Sequence, residues 1–180
     1  REHGPGPWDY CMMTFVSMDD ENLVVLPTHR VLKNLPNYDE TRFLSELEKY
    51  FDVESKNIPD DFAQKLPDLI GPSAAGKNRF ALLLPNGKLC ILALKSFDVI
   101  PEPIRTSTPR EVLNLDVSIL HHLLIEDLLG LTHEQQGSEQ YIEYIRQPEQ
   151  VRELIESGQC SLAFLSNPTR VEQVREVALS

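Results

Sequence analysis

QYIEYIRQPEQVRELIESGQCSLAFLSNPTRVEQVREV, residues 140–177, alternates short apolar runs with amphipathic ones. The pattern predicts a strand, a helix, a second strand and a second helix. Pro148 stands at the first position of the first helix, where a missing N–H costs nothing. Gly158 stands just past its end, where a left-handed backbone is tolerated. Between them Val151, Leu154 and Ile155 fall on one face at helical spacing. Thr169 and Glu172 have the spacing of a capping box that opens the second helix. The connection from Ile145 to Leu162 is long enough for a right-handed crossover between neighbouring parallel strands, and a hairpin would need no helix there.

Outward from this βαβ unit, RFALLL and KLCILALK flank Pro85-Asn86-Gly87. Asn-Gly between two apolar runs predicts a hairpin with a type I′ turn. Both strands are apolar on each face, which places the hairpin inside a sheet covered by helices on both sides. The fold class is therefore α/β (α+β mixed): a mixed sheet with an antiparallel hairpin portion and a βαβ unit. Asp39 is read as the cap of a helix running to about Asp52, and residues 58–71 as a short helix interrupted near Pro67. Asp116 is read as the cap of VSILHHLLIEDLL, stopped by Gly130. The run DYCMMTFVSM, residues 9–18, predicts a buried strand paired with a second one at residues 23–26. Residues 97–110, with three prolines, predict a loop or a boundary. Residues 1–100 then form a lobe with hairpins and residues 101–180 a helix plus β-α-β-α lobe, packed together as one domain.

The totals restrict the function. A chain of 180 residues with 41% hydrophobic and 25% charged residues has the composition of a globular domain. A net charge of −11 argues against nucleic acid and anionic membrane as partners, since both need a positive field. No apolar run approaches the roughly 20 residues that span a bilayer. Cys11, Cys90 and Cys160 are odd in number, far apart and without a Cys-x-x-Cys, which predicts reduced buried thiols and a cytoplasmic setting. Oligomerisation stays open.

No stretch carries a complete catalytic motif. Gly71-Pro72-Ser73-Ala74-Ala75-Gly76-Lys77 is no Walker loop, because Lys77 precedes Asn78 and a strand where Ser or Thr and a helix are required. Thr28-His29-Arg30 closes a strand after Pro27. An arginine fork beside a threonine hydroxyl can hold a carboxylate or phosphate, and His29 is the one group there that titrates near neutrality. From these letters alone a surface turn with incidental polar residues is the simpler reading. His121 falls with Val117, Leu124, Ile125 and Leu128 on the helical wheel, as a core histidine or an inward site residue. It cannot share a face with His122, so no metal pair forms and no metal site is expected. At the outgoing tips of the two strands in residues 140–177 stand Arg146, Ser166, Asn167 and Thr169, where α/β sheets collect anionic ligands.

NLVVLPTHRVL, LDVSILHHLL with its trailing LLGL, YIEYIRQPEQVRELIESG and AFLSNPTRVEQVREVA together resemble the prokaryotic family catalogued as domain of unknown function 1015. The likeness implies a longer protein. Its upstream Gly-His-His-Arg-type stretch is similar to nucleotide-using proteins related to ParB, sulfiredoxin and free-serine kinases, and is not found in these 180 residues. On that resemblance the chain is a C-terminal part whose catalytic motif lies upstream, inactive alone. Its expected role is an anion-binding wall in a small-metabolite enzyme, with a nucleotide as cofactor of the whole protein and phosphorylation of an amino acid such as serine as the sharpest version. Thr28, Arg30, Arg146, Asn167, Thr169 and His121 would bind the ligand and His29 would move the proton. The alternative is a non-catalytic module that assembles subunits or domains.

Overall fold

A computed structural model describes residues 10–20, 22–73 and 77–179. Strand β1 (His29–Leu32) is followed by α1 (Glu40–Tyr50), β2 (Phe51–Asn57) and α2 (Phe62–Ile70). Strands β3 (Arg79–Leu83) and β4 (Lys88–Leu94) form the central hairpin. Short helices α3 (Glu102–Ser107), α4 (Arg110–Leu113) and α5 (Asp116–Ile119) come next, and α5 runs on into a π-helical stretch, Leu120–Leu128. After α6 (His133–Gln136) come β5 (Ile142–Ile145), α7 (Pro148–Glu156), β6 (Leu162–Ser166) and α8 (Val171–Leu179).

The six strands make one sheet in the order β2-β4-β3-β6-β1-β5, with every neighbouring pair antiparallel. Because β5 and β6 each run antiparallel to β1, they run parallel to one another, as the crossover through α7 requires. They are not neighbours. Strand β1 lies between them, and its four residues are all buried, so it belongs to the interior of the sheet. The mixed α/β class holds, with a sheet whose hydrogen-bonded pairs are all antiparallel.

Helices lie on both faces. On one, α1, α5 and the π-helical stretch cover Leu32, Leu82, Leu92 and Phe164. On the other, α2 and α7 cover Val31, Leu83, Ile91 and Leu165. Alternation along β1 sends Val31 and Leu32 into different cores. Phe43 and Phe164 meet edge to face at 6.5 Å in the first core, an arrangement that the aromatic quadrupole favours.

Local chemistry sets the ends. Asp39 caps α1 by accepting from the Arg42 N–H at 2.7 Å. Gly71 and Gly158 take φ of 71° just past α2 and α7, a left-handed backbone that residues with a side chain rarely adopt. Pro67 lies inside α2 without interrupting it.

Several sequence expectations are corrected. The central turn is not type I′, which needs positive φ at both Asn86 and Gly87. Only Gly87 has it, at 74°. The Gly87 N–H bonds the Leu84 carbonyl and the Leu84 N–H bonds the Lys88 carbonyl, giving a three-residue loop that Pro85 pre-sets. Residues 10–18 and 23–26 form no strand, and Met12 and Phe15 are exposed; Asp9 lies outside the described residues. A strand needs a ladder partner, and neither edge of the sheet, β2 or β5, supplies one to this run. Residues 97–110 carry a 3₁₀ turn (Phe97–Val99) and α3 rather than a loop. Leu115, not Asp116, occupies the N-cap of α5. Thr169 does not cap α8; the Arg170 N–H bonds Gln173 Oε1 instead.

Candidate functional site

Arg30 is the second residue of β1, between Tyr144 on β5 and Phe164 on β6. An arginine in the middle strand of such a trio loses nearly all of its water, and Arg30 is 8% exposed. Its Nη1 donates to the Thr28 carbonyl, and its Nη2 lies 3.3 Å from His121 Nε2. The guanidinium carbon sits 5.4 Å from the Tyr144 ring centroid, a cation–π distance. Among the described residues the buried Nε has no hydrogen-bond partner. Burial pulls the Arg30 pKa below its ordinary value, and the only opposing influence is Tyr144. A guanidinium this deep normally faces a carboxylate. Among the described residues Arg30 forms no ion pair.

The tips of β1 and β6 enclose a cleft of about 120 Å³ lined by Thr28, Arg30, Asp116, Ser166, Asn167 and Thr169, among others. Ser166 Oγ donates to the Thr28 carbonyl at 3.4 Å, which ties the two strand ends together. Asn167 Nδ2 donates to the Gly71 carbonyl at 2.8 Å and so joins the end of α2 to the rim. A second hollow of about 380 Å³ adjoins it, sharing Asp116 and Asn167 and adding Pro67, Pro72 and Arg170.

Asp116 stands between the two hollows. Its Oδ1 accepts from Asn78 Nδ2 at 2.7 Å, and the same amide donates to the Asn114 carbonyl at 3.0 Å. Burial raises the Asp116 pKa, against the lowering pull of Asn78, Ser73 and Arg170. The cleft therefore offers a cationic donor at one side, a carboxylate acceptor at the other and neutral hydroxyls and amides between.

Of the residues singled out from sequence, Thr28, Arg30, Asn167 and Thr169 come together at this cleft. His121 stands behind Arg30 on the π-helical stretch and not on the cleft wall. Arg146 is exposed beyond β5 and does not line it. His29 leaves β1 on the opposite face, is fully buried and, among the described residues, has no partner on either ring nitrogen. Burial first, and Arg30 second, hold its pKa down at about 4. Tyr144, Asn78 and Gln136 join the surroundings of the site without a sequence reading that pointed there. For Tyr144 a signal exists: in YIEYI it stands two residues from Ile142, so both lie on the same face of the sheet. Asn78 and Gln136 carry none, because their partners are 38 and 15 residues away.

The sequence profile described as "Protein of unknown function (DUF1015)" matches residues 1–118. The chain belongs to the DUF1015 family. The matched span includes Thr28, Arg30 and Asp116, so two of the cleft's walls lie inside the DUF1015 region and the β6 wall lies beyond it. No curated protein and no solved structure matches the chain.

Proposed function

We propose that the Arg30 cleft binds the phosphate or carboxylate of a small metabolite and forms one wall of a small-metabolite enzyme's site. The observation that carries this reading is a buried guanidinium that borders a cleft and forms no ion pair among the described residues. An anion there would supply the missing counter-charge. Thr28 and Asn167, whose amide keeps a second N–H, add neutral donors, while Asp116 accepts from a hydroxyl or ammonium on the same ligand. At about 120 Å³ the cleft suits a small metabolite, since drug-sized ligands fill roughly 300–1,000 Å³.

The chemistry of transfer is assigned to a segment outside these 180 residues, in a cytoplasmic prokaryotic enzyme that uses a nucleotide. That part rests on the family resemblance. His29 takes no role in it, because its imidazole is shut away on the other face of the sheet. The test is turnover by the full-length protein, with metabolites and nucleotides screened by thermal shift. Arg30→Ala is expected to abolish ligand stabilisation and turnover while leaving Tm in place.

A second reading has its own observation. Tyr10, Met12, Met13, Phe15 and Val16 are exposed along one segment, which favours a module that assembles domains or subunits. Under it, Arg30→Ala is silent and loss of Met12 and Phe15 lowers the assembled mass.

A further inference from the structure

Gln136 is 5% exposed, and both ends of its amide are engaged. Nε2 donates to the Leu131 carbonyl at 3.1 Å, which leaves Oε1 as an acceptor only. Oε1 lies 2.7 Å from His121 Nδ1. The proton of a neutral His121 must therefore sit on Nδ1, and Nε2 keeps its lone pair. Nε2 in turn faces Arg30 Nη2 at 3.3 Å, and a guanidinium nitrogen can only donate. The hydrogen bonds run in one direction, from Arg30 to His121 to Gln136 to the Leu131 carbonyl. Reversing any link leaves two donors or two acceptors face to face.

We infer that His121 and Gln136 are positioning residues for the anion site: they fix the tautomer that holds the Arg30 fork, and protonation of His121 releases it. The inference rests on the anion reading of the Arg30 cleft. With Nη1 bound to the Thr28 carbonyl and Nη2 to His121, the fork is held at two corners where the side chain borders the cleft. His121 occupies the second position of the π-helical stretch Leu120–Leu128, a helix type that recurs at functional sites. The charged and titratable groups facing the ring are Arg30 from β1, His122 from its own helix and His133 from α6, with the Tyr144 hydroxyl donating to the Gln136 carbonyl. No carboxylate is among them, and only the Gln136 hydrogen bond favours an imidazolium, against burial and the neighbouring cations. An added proton would also sit on Nε2, directly against Arg30. The lowered pKa of His121, due first to burial, agrees with this.

The test uses the full-length protein, sulfate as a probe that does not itself titrate, and nitrogen-15 NMR of the imidazole. The wild type is expected to show a protonated Nδ1 and a bare Nε2. Gln136→Leu should shift the ring toward the other tautomer and weaken sulfate binding roughly tenfold, the scale of one hydrogen bond to a charged group. Gln136→Glu keeps an acceptor at Nδ1 but stabilises the imidazolium, so the loss of sulfate binding on acidification should begin at a higher pH than in the wild type. A wild-type ring protonated at Nε2, or sulfate binding and its pH profile unchanged in both variants, would overturn the inference. A wild type that ignores sulfate refutes the anion reading instead, and the tautomer still decides whether the chain exists.

Discussion

His29 and Arg30 are consecutive on β1, and their side chains leave the sheet on opposite faces, one into a sealed core and one toward a cleft. A strand alternates its side chains, so two adjacent polar residues cannot share one site. One of them must be spent elsewhere, and here it is the histidine.

The buried His29 makes the fold acid-sensitive. In the unfolded chain the imidazole titrates near 6.5, and in the folded chain at about 4. Between those values the unfolded state binds the extra proton, so stability falls as pH drops below about 6.5 and the loss is complete below about 4. The gap amounts to about 3 kcal/mol. His29→Leu fills the same apolar space without a titrating group and should lose that much less stability on acidification. Urea unfolding of both proteins from pH 7 to pH 4 checks this. Identical acid limbs would contradict it.

Asn78 separates Asp116 from an uncompensated burial. The amide is 1% exposed and donates both to Asp116 and to the Asn114 carbonyl. Asn78→Asp would place a second carboxylate 2.7 Å from the first. Two such groups cannot both ionise cheaply, so both carboxyl pKa values rise on folding. The variant should be less stable by about 2–4 kcal/mol at pH 7 and should recover as pH falls toward 4. The slope is opposite in sign to that of His29, and chemical denaturation against pH separates the two.

Phe164 ties the site to the core. It is fully buried on β6, opposite both Arg30 and Leu82, with its ring against Phe43. Phe164→Ala should cost about 3–5 kcal/mol, as large-to-small changes in a closed core do. Calorimetry would show the drop in Tm, and a loss below about 1 kcal/mol would mean that the site collapses around the gap.

The crossover through α7 was legible because its signals are local: Pro148, Gly158 and the spacing of Val151, Leu154 and Ile155. The insertion of β1 between β5 and β6 was not, since it pairs Arg30 with Tyr144 and Phe164 across more than a hundred residues. Strand β2 escaped notice because Asp52, Glu54 and Lys56 read as surface, as befits an edge strand with one half in water. The apolar run at residues 10–18 was misread for the converse reason, since hydrophobicity predicts burial only where a partner exists to bury it. At the site, sequence picked out Thr28, Arg30, Asn167 and Thr169 and also drew in His29, for want of a strand register that separates His29 from Arg30.

The central claim is that Arg30 meets an anion in the cleft it lines. The direct measurement follows the Arg30 Nε–H resonance while sulfate is added to the full-length protein, with Arg30→Ala used to assign the peak. A saturable shift of that one arginine resonance is expected, reaching its limit while the exposed arginines barely move. A small drift shared by all arginine side chains, without saturation, would contradict the account.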